Sequence, residues 1–211
     1  MGASTHPNPE APTRNSFWLG LAAGLALTVL AREAPYLNWK TFAAPLDTDV
    51  LQVRQDAKGD GHFGAPRSGR RGHRGIDLLA PLNSPVRVIR SGTVIEVGAH
   101  RGLGRFVEVS HGGGLTSLYA HLASSSVEQG DRVTQGQVIG TVGKTGNARH
   151  PWISPHLHVE VARRGEVVDP STLGLRVLAS SSDTEPRNGR AFDFAQHGHP
   201  ERSRMDGRGG D

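Results

Sequence analysis

From Pro85 to Asp169 the chain alternates short apolar, β-branched runs with glycine-containing turns: PVRVIRSGTVIEVG, GRFVEVSH, LTSLYAHL, DRVTQGQVIGTVG and HLHVEVARRGEVVD. Side chains on a strand alternate faces, so each run predicts a strand with one apolar side. The repetition predicts an all-β fold, an antiparallel sandwich or barrel-like domain over residues 61–175. Phe17 to Ala31, FWLGLAAGLALTVLA, is different: apolar on every side and free of charge. It predicts a helix, short of the about 20 residues a membrane span needs but suited to a signal-peptide core of roughly 7–15. Residues 17–35 are therefore expected to be an uncleaved single-pass signal-anchor or, second, a cleaved signal peptide. Either form carries the rest of the chain out of the cytoplasm, and the anchor makes the membrane a partner. Residues 1–16 are polar and proline-bearing and are expected to be disordered, and residues 36–60 read as a linker or lead-in. Residues 180–211 hold too little apolar surface to fold and read as a disordered tail. His197 and His199 repeat a His-x-His spacing there, with nothing apolar around them, and are tail residues.

Composition narrows the chemistry. The 211 residues contain no cysteine, so disulfides, thiolate catalysis and Cys-type zinc sites are excluded, and any metal must be held by histidine and carboxylate. The 28 glycines and the 5% aromatic content suit a turn-rich β domain.

Within that frame SPHLHVEV, residues 154–161, stands out. His156 and His158 share one strand face, and Leu157, Val159 and Val161 share the other. Two adjacent imidazoles repel if both are charged, so a metal that keeps them neutral is the economical reading. Spacing alone leaves the two interchangeable. A further ligand pair is offered by GHRGIDLLAP, where Gly75 lets the backbone turn so that His73 and Asp77 converge. A carboxylate opening the buried run Leu78–Leu79 is costly unless paired or bound to a cation. In SLYAHL, alternation puts Tyr119 and His121 on one face as candidate donors to an oxyanion. Arg67, Arg70, Arg71 and Arg74 form either a solvated basic loop or a rim that attracts carboxylates. No aromatic platform accompanies them, so nucleic acid is not expected as a partner.

HRGID, YAHL and PHLHVEV, with the flanking FGAPRSG, LAPLNSPV, SGTVIEVG, VEQGDRVTQGQVIGTVGKTGN and VVDP in the same order, resemble the lysostaphin-type zinc endopeptidases of peptidase family M23 over roughly residues 61–170. The resemblance implies one catalytic zinc held by His73, Asp77 and His158, with His156 and His121 as catalytic histidines that do not bind it and Tyr119 beside the latter. It implies hydrolysis of peptide crosslinks in bacterial peptidoglycan by zinc-activated water with a histidine general base, at a periplasmic or extracytoplasmic location. The alternative is a catalytically inactive M23-like domain that binds the cell wall or activates an amidase. One departure is the stretch ARHPWIS before Pro155, an insert over 148–154 that either shapes specificity or lengthens a hairpin. Arg67, Arg70, Arg71 and Trp152 are the substrate-binding candidates. SGTVIEVG and VEQGDRVTQGQVIG also resemble biotinyl/lipoyl carrier domains. A carrier, however, needs a lysine at a hairpin tip beside methionine, and Lys144 lacks that setting.

Overall fold

The structure, a computed structural model, describes residues 14–36, 42–48, 50–67 and 71–178. Arg70, His197, His199 and the expected tail lie outside them. Helix α1 runs Arg14–Glu33 and passes into a 3-10 turn at Ala34–Tyr36, so it starts inside the segment expected to be disordered. Its Trp18, Leu25, Leu27, Val29 and Leu30 are exposed. Glu33 pairs with Arg132, whose guanidinium lies 3.7 Å over the Tyr36 ring. Among the described residues no helix is long and apolar enough to cross a membrane, so the anchor expected for 17–35 finds no support.

Thirteen strands follow among the described residues: β1 Leu51–Gln52, β2 Gln55–Asp56, β3 Gly59–Asp60, β4 Ile76–Leu79, β5 Pro85–Arg87, β6 Gly92–His100, β7 Gly104–Ser110, β8 Leu115–Ser125, β9 Arg132–Val133, β10 Val138–Val142, β11 His156–Arg163, β12 Glu166–Val168 and β13 Val177–Leu178. Nine form one sheet whose main path is β12-β11-β8-β7-β6-β9, with β4 on β11 and with β10 joining β5 and β8. The pairings within it are antiparallel. Because β12 and β9 end the path without meeting, the mostly β fold is an open sheet and the barrel-like closure does not occur.

The apolar alternation does the expected work. Leu157, Val159 and Val161 of β11 are at most 1% exposed and pack with Val107, Val109, Leu122, Ile139 and Val142 in one core. The stretch read as a lead-in joins them. Leu46, Leu51 and Val53 are core residues, and residues 53–61 run along the free edge of β4 through Arg54 N–H to Asp77 O (2.8 Å) and Asp77 N–H to Gly61 O (2.8 Å). Strand β4 is thus held on both sides, which fixes the carboxylate it carries.

Candidate metal centre and cleft

The register of β4 against β11 pairs Asp77 with His158 and Leu79 with His156, so these side chains emerge on one face. His73 arrives from the loop entering β4. His73 Nε2, Asp77 Oδ1 and His158 Nδ1 lie 3.0, 3.2 and 2.8 Å from one another, all three residues buried. Ligand atoms around a tetrahedral zinc at about 2.0–2.1 Å are about 3.3 Å apart, close to the spacing found. The donor set fits as well. His73 Nδ1 is 2.9 Å from the His62 carbonyl oxygen, which can only accept, so Nδ1 carries the hydrogen and Nε2 presents a lone pair. His158 Nε2 donates to Glu160 Oε1 at 3.1 Å, which turns Nδ1 inward. Ligating imidazoles in metal centres are held by such outer hydrogen bonds. Three lone-pair atoms crowded together call for a cation, and a proton answers first. Burial opposes the charged ring of His158, but the hydrogen bonds it donates to Asp77 and Glu160 prevail and hold its pKa up at about 9. Burial likewise opposes ionised Asp77, and the hydrogen bond it accepts from His158, together with the charge of that ring, outweighs it and keeps the carboxyl well below its usual range.

His156 and His121 stand beside this trio, their rings 4.9 Å apart, with His156 Nε2 3.8 Å from Asp77 Oδ1. His156 Nδ1 lies 2.7 Å from Ser154 O and His121 Nδ1 lies 3.0 Å from Thr145 O. Both Nδ1 atoms therefore donate to carbonyls, which leaves Nε2 of each neutral ring as the acceptor atom. Burial pushes both rings toward neutrality, His121 down to about 3. Both rings are therefore held neutral; His121 can donate to an oxyanion only after it has taken a proton.

His121 reaches the site by breaking the alternation. Regular pairing sends Leu118 and Ala120 to the face of Glu160 and His158, which would turn His121 inward with Tyr119. At this point β8 leaves β11 and joins β10, its register against β7 shifts, and His121 takes φ 63°. A non-glycine residue in the left-handed region is held there by its surroundings, in this case by His121 N–H to Leu103 O (2.8 Å) and the Thr145 carbonyl. Tyr119 stays behind. Fully buried, it accepts from Ile89 N–H (2.8 Å) and the Ser117 hydroxyl (2.9 Å) on the core side. Tyr119, expected beside His121, thus has its hydroxyl on the core side of the bulge. Tyr119→Phe is expected to leave turnover within about twofold while costing about 1–3 kcal/mol from the unsatisfied Ile89 donor. Thermal unfolding and steady-state rates check this; a hundredfold loss of turnover in a folded variant would return Tyr119 to the site.

A cleft of about 880 Å³ surrounds the five residues. Arg67, Arg71, Arg74 and Lys58 line one side, and Leu103, Asn147, His150 and Ile153 line it from the hairpin and the 148–154 segment. Of the substrate-binding candidates, Arg71 lines the cleft, and Arg67 does so while also reaching Asp77 Oδ2 at 3.3 Å. Trp152 is exposed and not among the lining residues. Two further residues support the site. Glu160, on the strand face of His156 and His158, holds the His158 ring. Arg54, inside the supposed lead-in, is buried against Asp77 Oδ2. The second has a sequence trace only in hindsight: a lone arginine between Val53 and Gln55 reads as solvated.

Residues 71–170 match the model of peptidase family M23. The DD-carboxypeptidase/endopeptidase Mpg of Neisseria meningitidis serogroup B is 41% identical over 103 residues, 49% of this chain and 23% of that protein. The peptidoglycan DD-endopeptidase ShyC of Vibrio cholerae is 36% identical over 103 residues, again 49% of this chain and 23% of its own. The crystal structure of a zinc-containing peptidase from Vibrio cholerae aligns with a TM-score of 0.50 at 32% identity, covering 61% of this chain and 39% of that one. This chain thus spans less than a quarter of the length of those curated relatives.

Proposed function

From the premise that residues 71–170 are a peptidase family M23 domain, we propose that the chain is a zinc-dependent endopeptidase hydrolysing peptide crosslinks of bacterial peptidoglycan. The observation that carries the reading is the convergence of His73, Asp77 and His158 within 3.2 Å of one another beside two imidazoles whose Nδ1 atoms are held by backbone carbonyls. His73, Asp77 and His158 would hold the ion, which when bound polarises a carbonyl and eases deprotonation of water. The chain's own groups supply the proton traffic. His156 Nε2 takes the proton of the attacking water, and the resulting imidazolium can pass a proton to the leaving amine. His121, its ring 4.9 Å from that of His156, becomes an oxyanion donor once protonated. The Ser154 and Thr145 carbonyls stabilise those charged rings by accepting from their Nδ1 hydrogens. Arg71 and Arg74, on the rim, favour substrates carrying carboxylates, as peptidoglycan stem peptides do.

The names of the relatives favour a D,D crosslink. A peptidoglycan substrate also requires export, with residues 17–35 as the signal-bearing segment. The inactive wall-binding alternative is disfavoured because no ligand position is lost. Incubating purified peptidoglycan with the full chain and identifying the released fragments by mass spectrometry tests the proposal. Cleaved crosslinks that disappear with a chelator and return with zinc are expected. Intact crosslinks from a zinc-loaded protein would leave only the wall-binding reading.

A further inference from the structure

The metal ligand Asp77 has a second oxygen, and what holds it comes from residues that the sequence reads as linker. Arg54 Nη2 and Nε lie 3.0 and 3.3 Å from Asp77 Oδ2. The same guanidinium reaches Asp56 Oδ1 through Nη1 at 2.6 Å, and Asp56 Oδ2 accepts from Ser154 N–H at 2.9 Å. The side chains of Arg54, Asp56 and Asp77 are only 5, 11 and 5% exposed. Ser154 closes the inserted segment, and its carbonyl also orients His156. A continuous path of hydrogen bonds therefore runs from Asp77 through Arg54 and Asp56 to the insert and back to His156.

We infer that Arg54 is a positioning residue whose guanidinium grips Asp77 Oδ2 so that Oδ1 alone faces the two ligand imidazoles, with Asp56 balancing its charge and tying the insert to the same frame. The charge sum makes the role specific. A buried arginine facing Asp77 alone would neutralise the carboxylate and weaken its hold on a cation. Asp56 offsets that positive charge, so the three side chains together keep one negative charge for the metal. The fork matters as much as the charge: Nε and Nη2 converge on the one oxygen Oδ2 while Nη1 is held by Asp56, so a rigid planar group held between two carboxylates fixes the position of Oδ2, which a single ammonium cannot do. Arg67 also touches Asp77 Oδ2, through one nitrogen at 3.3 Å, but its side chain is 29% exposed and makes a single contact there.

The inference rests on the zinc reading, and the test separates the two. The full chain is stripped of metal and titrated with zinc alone against a chromogenic chelator. Wild type without a zinc-binding isotherm would sink the metallopeptidase reading itself. With wild-type binding in place, Arg54→Lys keeps the charge, loses the fork and is expected to weaken zinc binding roughly 10–100-fold. Asp56→Asn keeps an acceptor for Arg54 but removes the balancing charge. It is expected to weaken zinc binding by about tenfold or more within that same range, and to raise KM through the loosened Ser154. Arg87→Gln, which breaks the exposed pair with Asp47, should bind zinc as wild type does. Should Arg54→Lys fail to fold, Asp56→Asn carries the test. A folded Arg54→Lys or Asp56→Asn that holds zinc within twofold of wild type overturns the inference, as does Arg87→Gln weakening zinc binding equally.

Discussion

His158→Ala is expected to lose zinc and activity together, whereas His156→Ala is expected to keep zinc and lose turnover by about 10²–10⁴-fold, the range for removing a positioned proton acceptor. The two residues are neighbours on one strand face and differ in which nitrogen looks inward. His158 presents Nδ1 to His73 and Asp77 because Glu160 takes its other hydrogen, while His156 gives its Nδ1 hydrogen to Ser154 O and keeps Nε2 3.8 Å from Asp77 Oδ1. Truncating His158 removes a ligand atom and strips Asp77, 3% exposed, of its shortest contact among the histidines. Truncating His156 leaves the three ligand atoms with their mutual contacts and outer hydrogen bonds. Metal content measured alongside kcat separates the outcomes. Equal metal loss in both variants would reverse or void the assignment.

How far the site could be read from the sequence follows from which contacts are local. In HLHVEV, strand periodicity alone sends the two histidines one way and Leu157, Val159 and Val161 the other, and the structure has this arrangement. The same rule misplaces LYAHL. Alternation assumes a continuous ladder, but β8 changes partners from β11 to β10 at His121, and the left-handed residue there turns its ring out while Tyr119 stays in the core. A partner switch is a property of two distant strands, and periodicity within one run carries no trace of it. Arg54 was hidden for a related reason. Its partner Asp77 is 23 residues away, and nothing local distinguishes a buried, doubly paired arginine from a solvated one. The strands themselves were legible because their turns are marked by glycine. Closure was not, since whether the outer strands β12 and β9 meet depends on twist accumulated over the whole sheet.

Gly75→Ala is expected to be among the most damaging single substitutions outside the ligands, and for a reason other than turning. Gly75 has no left-handed backbone angle; it lies flat against β11, and a Cβ there would sit 2.2 Å from Val159 O and 2.9 Å from Val159 C. These are backbone atoms of the residue next to His158, and the Val159–Ile76 pair is part of the ladder that brings Asp77 to His158. The methyl group can be accommodated only if β4 moves away from β11, which separates His73 and Asp77 on one side from His158 on the other. Overpacking of this kind costs about 1–3 kcal/mol, and the displacement should weaken zinc binding well beyond what the stability loss explains. Gly72→Ala is the matched comparison. It lies as near to His73 in sequence, yet its Cβ would come no closer than 3.4 Å to Gly64, an ordinary contact, and it should keep wild-type stability and zinc affinity. Thermal unfolding and zinc titration of the two variants check the contrast; a Gly75→Ala protein that melts and binds zinc like Gly72→Ala would mean that the close approach of β4 to β11 does not set the geometry of the centre.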